Sequence, residues 1–147
     1  MKKLLILILA LAAFLPGAIA QVPQKGASAI FLVIDAETTK DAHDIVMRTL
    51  IANDIDVRAD NQEYYLTKSA GMPTKSGSDV TCSYACMEKD GEIIVRVSGT
   101  YKSPLDDFRA EDKITLRGMN GSIARQVWDS MYKTAMLIPH TSVRFTQ

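Results

Sequence analysis

The chain predicts an α+β fold, a two-layer sandwich with two helices on one face of an antiparallel sheet. Three features lead there. Two runs of alternating residues, Val80–Met87 and Ile93–Tyr101, flank an Asp90-Gly91 pair. An amphipathic helical stretch lies near each end of the domain, after Thr39 and after Ser122. The strand-like runs fall together between the helices instead of alternating with them, which separates the elements into layers.

The hairpin is the most informative segment. Asp-Gly between alternating runs favours a type I′ turn, because both central residues tolerate positive φ. With Asp90 and Gly91 as the loop, cross-strand partners have numbers that sum to 181. Val80 then faces Tyr101, Cys82 faces Gly99, Tyr84 faces Val97 and Cys86 faces Val95. Those pairs share one mostly apolar face. Thr81 with Thr100, Ser83 with Ser98 and Ala85 with Arg96 share the other. A slip of one residue would exchange the faces, so pattern and turn chemistry support one register.

The other elements follow in order. Ala29–Ile34 is a short, β-branched apolar run expected as a strand buried on both faces. Thr38 or Thr39 caps a helix with Asp41 and Asp44 in its first turn, where the dipole favours acids. Ala42, Ile45, Val46, Thr49 and Leu50 form its apolar stripe, and Asn53-Asp54 ends it. Strands are expected at Ile55–Ala59 and Glu63–Lys68, joined by Asp60-Asn61-Gln62. Gly71–Ser78 reads as a surface loop, and Leu105–Lys113 as a charged connection. Ile114–Arg117 is expected as a last strand. Ser122 caps the second helix, whose stripe is Ile123, Val127, Met131 and Ala135 with Trp128 beside it, and Pro139 stops it. The order is β-α-β-β-β-β-(β)-α.

This order resembles the small domains of TATA-binding-protein-like shape. In bacteria that shape resembles modules of envelope lipoproteins that assist outer-membrane assembly, and many small exported domains. The resemblance is architectural and spans Ala29 to Ile138. It implies a two-layer fold and an envelope setting, and it assigns no residue a role.

The first twenty residues have the layout of a secretory signal. Lys2 and Lys3 precede the apolar run Leu4–Leu15, and Ala18-Ile19-Ala20 supplies small residues before a cleavage site at Gln21. The run is shorter than the roughly 20 residues a span needs. The expected organisation is a leader at 1–20, a flexible arm at 21–28, one domain at 29–138 and a tail at 139–147. Cleavage removes two of seventeen basic residues and none of seventeen acidic ones, leaving 127 of the 147 residues with a formal charge of −2. Such a chain presents no overall basic field for nucleic acid, and none is expected as a partner. No second run after Gln21 is long enough to span a membrane.

Reactive residues are few. Cys82 and Cys86 lie four residues apart on one strand face, about 13 Å, beyond the roughly 7 Å that a disulfide bridges. Two buried free thiols are therefore expected. Their C-x-x-x-C spacing is not the redox C-x-x-C, and two thiols alone make a poor zinc site. His43 falls off the apolar stripe and is expected in solvent. His140 follows Pro139 in the tail, and no G-x-S-x-G is present. Gly118–Ser122 lacks the lysine of a phosphate loop and reads as a capping loop. The acids from Asp106 to Asp112 lack the order of a calcium loop.

No catalytic residue, metal site or cofactor is thus assigned. The candidate surface is the polar hairpin face, Thr81, Ser83, Arg96, Ser98 and Thr100. It suits a non-catalytic envelope protein that binds a protein or surface-polymer partner. The alternatives are a small hydrolase with an unrecognised site and a thiol-dependent envelope protein.

The leader generates a direct expectation. Intact-mass measurement on protein from its native host should find Gln21 as the first residue. Retention of Met1 would reject the signal peptide.

Overall fold

The computed structural model describes residues 21–104 and 111–146. The leader and the Asp106-Asp107 pair lie outside the described residues. The elements are β1 (Ile30–Val33), α1 (Thr39–Ala52), β2 (Val57–Asn61), β3 (Leu66–Ser69), β4 (Met72–Pro73), β5 (Asp79–Lys89), β6 (Glu92–Lys102), β7 (Asp112–Lys113), α2 (Ile123–Ala135) and β8 (Ser142–Phe145). The sheet runs β2-β3-β5-β6-β1-β8, with β4 pairing β5 and β7 pairing β6. Every pairing is antiparallel. Both helices pack on one face, so the fold is the two-layer α+β sandwich.

The β5–β6 hairpin holds the expected register over its whole length, from Asp79 opposite Lys102 to Lys89 opposite Glu92. Asp90 and Gly91 both take positive φ, 54° and 77°. That conformation matches the right-handed twist of the strands. Val80, Cys82, Tyr84, Cys86, Val95 and Val97 are buried on the helix side. Thr81, Ser83, Ala85, Ser98 and Thr100 are half-buried on the opposite side, and Arg96 is exposed there.

Gly99 lets α2 approach the sheet. A Cβ at this position would sit 2.9 Å from Ile114 Cδ1, 2.9 Å from the Thr81 carbonyl oxygen and 3.2 Å from Met131 Sδ. The space opposite Cys82 is thus occupied by Met131 of α2 and by Ile114.

Both helices are capped by their own sequence. The Thr38 hydroxyl accepts from the Asp41 N–H, and the Ser122 hydroxyl accepts from that of Arg125. At the C-terminus of α1, the Ile55 N–H donates to the Leu50 carbonyl and the Asp54 N–H to that of Ile51, with Asp54 at φ 55°. This is a Schellman motif. Helix α2 buries Val127, Trp128, Met131, Thr134 and Ala135.

Several sequence expectations need correction. Strand β1 is fully buried on the helix face only, at Ile30 and Leu32, whereas Phe31 and Val33 are half-buried on the other. Its apolar run continues the open face instead of a second core. The β2–β3 hairpin turns later than Asp60-Asn61-Gln62: β2 runs through Asn61, whose side-chain oxygen accepts from the Tyr64 N–H. An Asx turn therefore outcompetes the earlier polar residues. Gly71–Ser78 is not wholly a loop. It contains β4, and Ser78 is buried at the end of a Thr74-Ser76-Ser78 hydroxyl chain. Between β3 and β4, the Ser69 hydroxyl accepts from the Cys82 N–H and fills the break in the ladder.

Ile114–Arg117 forms no regular strand. β7 is Asp112–Lys113, and the Ile114 N–H donates to the Gly99 carbonyl. The chain then turns to the N-terminal segment, where Leu116 N–H bonds the Ala27 carbonyl and Gly26 N–H bonds that of Leu116. Residues 139–147, read as a tail, supply β8 beside β1. Phe145 stacks on Tyr132 at 6.2 Å and extends the core under α2.

The register makes neighbouring positions unequal. Val97→Asp buries an unpaired carboxylate among the helices and should cost more than about 3 kcal/mol. Ser98→Asp, one residue on, should stay within about 0.5 kcal/mol. Denaturant melts of the two variants compare them directly, and equal losses would reject the register.

Candidate functional site

The open face of the sheet is built by alternation. Residues directly paired across strands share a face. Lys68 lies opposite Ser83, Ser83 opposite Ser98, Thr81 opposite Thr100, and Thr100 opposite Lys113. Arg96 lies between Ala85 and Phe31 in the adjoining row. The result is a patch of four hydroxyls with Lys68, Arg96 and Lys113 around it. All three cations are exposed. None makes an ion pair or side-chain hydrogen bond with a described residue. The Thr100 hydroxyl donates to Glu111 at 2.6 Å, and Arg144 at the face's far edge is held in a bidentate pair with Glu92 at 2.7 and 2.8 Å. Hydrogen bonds from that guanidinium hold the Glu92 carboxyl below its ordinary pKa. Val33, Ile94 and Met87 form an apolar row beside the polar one.

His43 is not in solvent. It is only 4 % exposed, packed under α1 against β2 and β3. Its Nε2 lies 2.8 Å from Asp60 Oδ1 and 3.0 Å from the Thr67 hydroxyl, which itself donates to Asp60 Oδ1 at 2.9 Å. The Tyr65 ring lies 5.8 Å away. The sequence signal was a second stripe on the same helix, His43, Val46, Met47 and Leu50, at i, i+3, i+4 and i+7. Of the expected stripe, Ala42, Val46 and Leu50 are buried and Ile45 and Thr49 half-buried; His43 is the buried position outside it.

The chemistry of this cluster is that of a clamp. A carboxylate only accepts, so the Asp60 contact needs a proton on Nε2. A hydrolytic triad uses opposite ring nitrogens for acid and hydroxyl, which lets the imidazole withdraw the hydroxyl proton. Here both partners meet the same nitrogen, and Thr67 is fully buried. His140 does not join it: its Nδ1 meets the Ile138 carbonyl oxygen at 2.6 Å.

Cys82 and Cys86 are free and buried. Burial pushes each thiol up to about 12 from an ordinary 9.0. Such thiols are poor nucleophiles, because the thiolate is the reactive form. Tyr84 lies between them on the same strand face. Burial, with a smaller contribution from the Cys82 thiol, raises its pKa as well. Its hydroxyl is near that thiol yet makes no well-formed hydrogen bond to any described residue.

Other features are weaker as sites. A shallow depression of about 360 Å³ at the hairpin end is lined by Asp35, Glu37, Glu88 and Glu92. Among the described residues, no three His, Cys, Asp or Glu side chains converge as a metal site. No described helix is long and apolar enough to cross a membrane.

Thiol burial has a pH consequence. Above about pH 9 the unfolded chain releases both thiol protons while the native state keeps them to about 12. The unfolded state then binds fewer protons, so stability falls as pH rises through that window. The melting temperature should decline from pH 9 upward, and the Cys82→Ala/Cys86→Ala double variant should show a shallower slope. Identical slopes would reject the assignment. Native protein at pH 8 should resist thiol reagents, and denatured, unreduced protein should titrate two thiols. A mass two units low that reductant restores would instead reveal a disulfide.

No known protein family matches this chain, and no curated protein sequence resembles it closely enough to count as a relative.

Proposed function

We propose that this is an exported, non-catalytic envelope protein that binds a partner through the open face of its sheet. The observation that carries the reading is the guanidinium of Arg96, which lies beside Ser98 and pairs with no described residue. It lies in a face that no described element covers, among Thr81, Ser83 and Thr100. Among the described residues, the hydroxyls of Thr81, Ser83 and Ser98 and the flanking cations are donors without an intramolecular partner, and only Thr100 has one, in Glu111. The leader at residues 1–20 supports export, and the two-layer architecture supports an envelope setting by its resemblance to assembly modules there.

The hydrolase alternative draws on His43, but that imidazole shares one nitrogen between Asp60 and a buried hydroxyl. The thiol alternative draws on Cys82 and Cys86, whose burial suppresses the thiolate. Neither has an exposed reacting group.

Arg96→Glu tests the reading. The variant should melt within about 2 °C of the parent, a shift typical of a surface substitution below 0.5 kcal/mol. It should lose capture of the envelope partner that the parent retains from native extract. Undiminished capture would remove the open face as the binding surface.

A further inference from the structure

Charge is unevenly distributed over this molecule. Residues 35–56, which hold α1 and its flanks, carry six acids, Asp35, Glu37, Asp41, Asp44, Asp54 and Asp56, against Lys40 and Arg48. The centre of the open sheet face carries Lys68, Arg96 and Lys113, with Thr100 bonded to Glu111; towards its ends the same face holds Asp79 opposite Lys102 and Glu92, which pairs with Arg144. A near-neutral total therefore conceals a basic centre of the open face and an acidic α1 region, while α2 carries Arg125 and Lys133 against Asp129.

Resting on the binding role proposed above, we infer that the open face docks an acidic protein surface. Lys68 on β3 and Arg96 on β6 are two strand spacings apart, about 10 Å, and offset along the strands by about 7 Å. Lys113 stands beyond Thr100, about 13 Å along the strand direction from Arg96. Cations at that separation fit several carboxylates spread over a surface better than one small anion. The hydroxyls of Ser83, Ser98 and Thr81 supply donors between them.

The apolar row selects among polyanions. Half-buried Val33 and Met87 adjoin the row of Arg96 on the same face, on either side of Ile94, which is itself buried, and half-buried Phe31 lies next to Arg96. A polypeptide offers aliphatic side chains beside carboxylates and uses both rows. An acidic polysaccharide has no aliphatic side chains to place against the apolar row. Charge complementarity of this kind steers association and makes it sensitive to salt.

The test uses a synthetic amphipathic peptide with a leucine stripe flanked by glutamates, and its counterpart with lysine for glutamate. Binding to the protein is followed by fluorescence anisotropy at 50 and 500 mM salt. The glutamate peptide should bind, and the lysine peptide should bind at least tenfold more weakly. Affinity for the glutamate peptide should fall at least tenfold at the higher salt and in Lys68→Glu/Arg96→Glu. Each substitution is exposed, and an unchanged melting temperature checks the fold. Four outcomes would overturn the inference: no binding of the glutamate peptide, no effect of the double reversal, tighter binding of polygalacturonate or phosphatidylglycerol vesicles than of peptide, or self-association that occupies the face. If envelope capture still depends on Arg96 while the glutamate peptide fails to bind, the partner is of another class and the binding role stands. If capture ignores Arg96, the binding role fails as well.

Discussion

The β5–β6 hairpin and its Asp90-Gly91 turn decide everything else in this fold. A two-residue turn with positive φ at both centres permits one register. That register sends Cys82, Tyr84, Cys86, Val95 and Val97 to one side and the hydroxyls with Arg96 to the other. The helices cover the first side because only it offers a continuous apolar surface. The second side is left to solvent or to a partner for the same reason. Strands β1 and β3 then add to the two edges of the hairpin, and β8 and β2 add to them in turn.

Polar groups inside the helix layer are organised by the same logic. The positions of β2 and β3 that face α1 include Asp60 and Thr67, and α1 answers with His43. Burying an imidazole or a carboxylate without partners is costly, and the triangle of contacts at 2.8 to 3.0 Å meets that demand. The arrangement ties α1 to the outer strands β2 and β3. Tyr84, like the buried side-chain oxygen of Gln126 in α2, is an exception among the described residues, a buried hydroxyl without a well-formed bond. Its ring fills the space between two thiols, and packing outweighs the lost hydrogen bond there.

The acids of the α1 region and the cations at the centre of the open face each sit where their surroundings suit them. Helix α1 accommodates acids at its N-terminus, where the dipole favours them, and its flanks add more. The open sheet face accommodates long cationic side chains, whose stems lie over half-buried neighbours such as Ala85 and Phe31 while the charges remain in water. A flat face with cations above an apolar row has the composition of a protein-binding surface, with Arg and large apolar groups together.

What the sequence determined alone was local and periodic. The hairpin register, the cap at Ser122, a cap at Thr38 or Thr39 that the structure places at Thr38, the stop at Asn53-Asp54 and the division of Val80–Tyr101 into two faces all depend on contacts between near neighbours. The fold class followed from the order of those elements, and so did the identity of the candidate face. Tertiary structure decided what depended on distant partners. His43 is buried because Asp60 and Thr67 approach from strands 17 and 24 residues away in the chain, and no pattern within α1 alone distinguishes its two possible stripes. Ser142–Phe145 becomes β8 because β1 presents an unpaired edge 112 residues earlier, and Ile114–Arg117 forms no regular strand where Leu116 bonds Gly26 and Ala27 of the N-terminal segment. The cations around the hydroxyl patch come from β3, β6 and β7, and only the closed sheet brings them to one face.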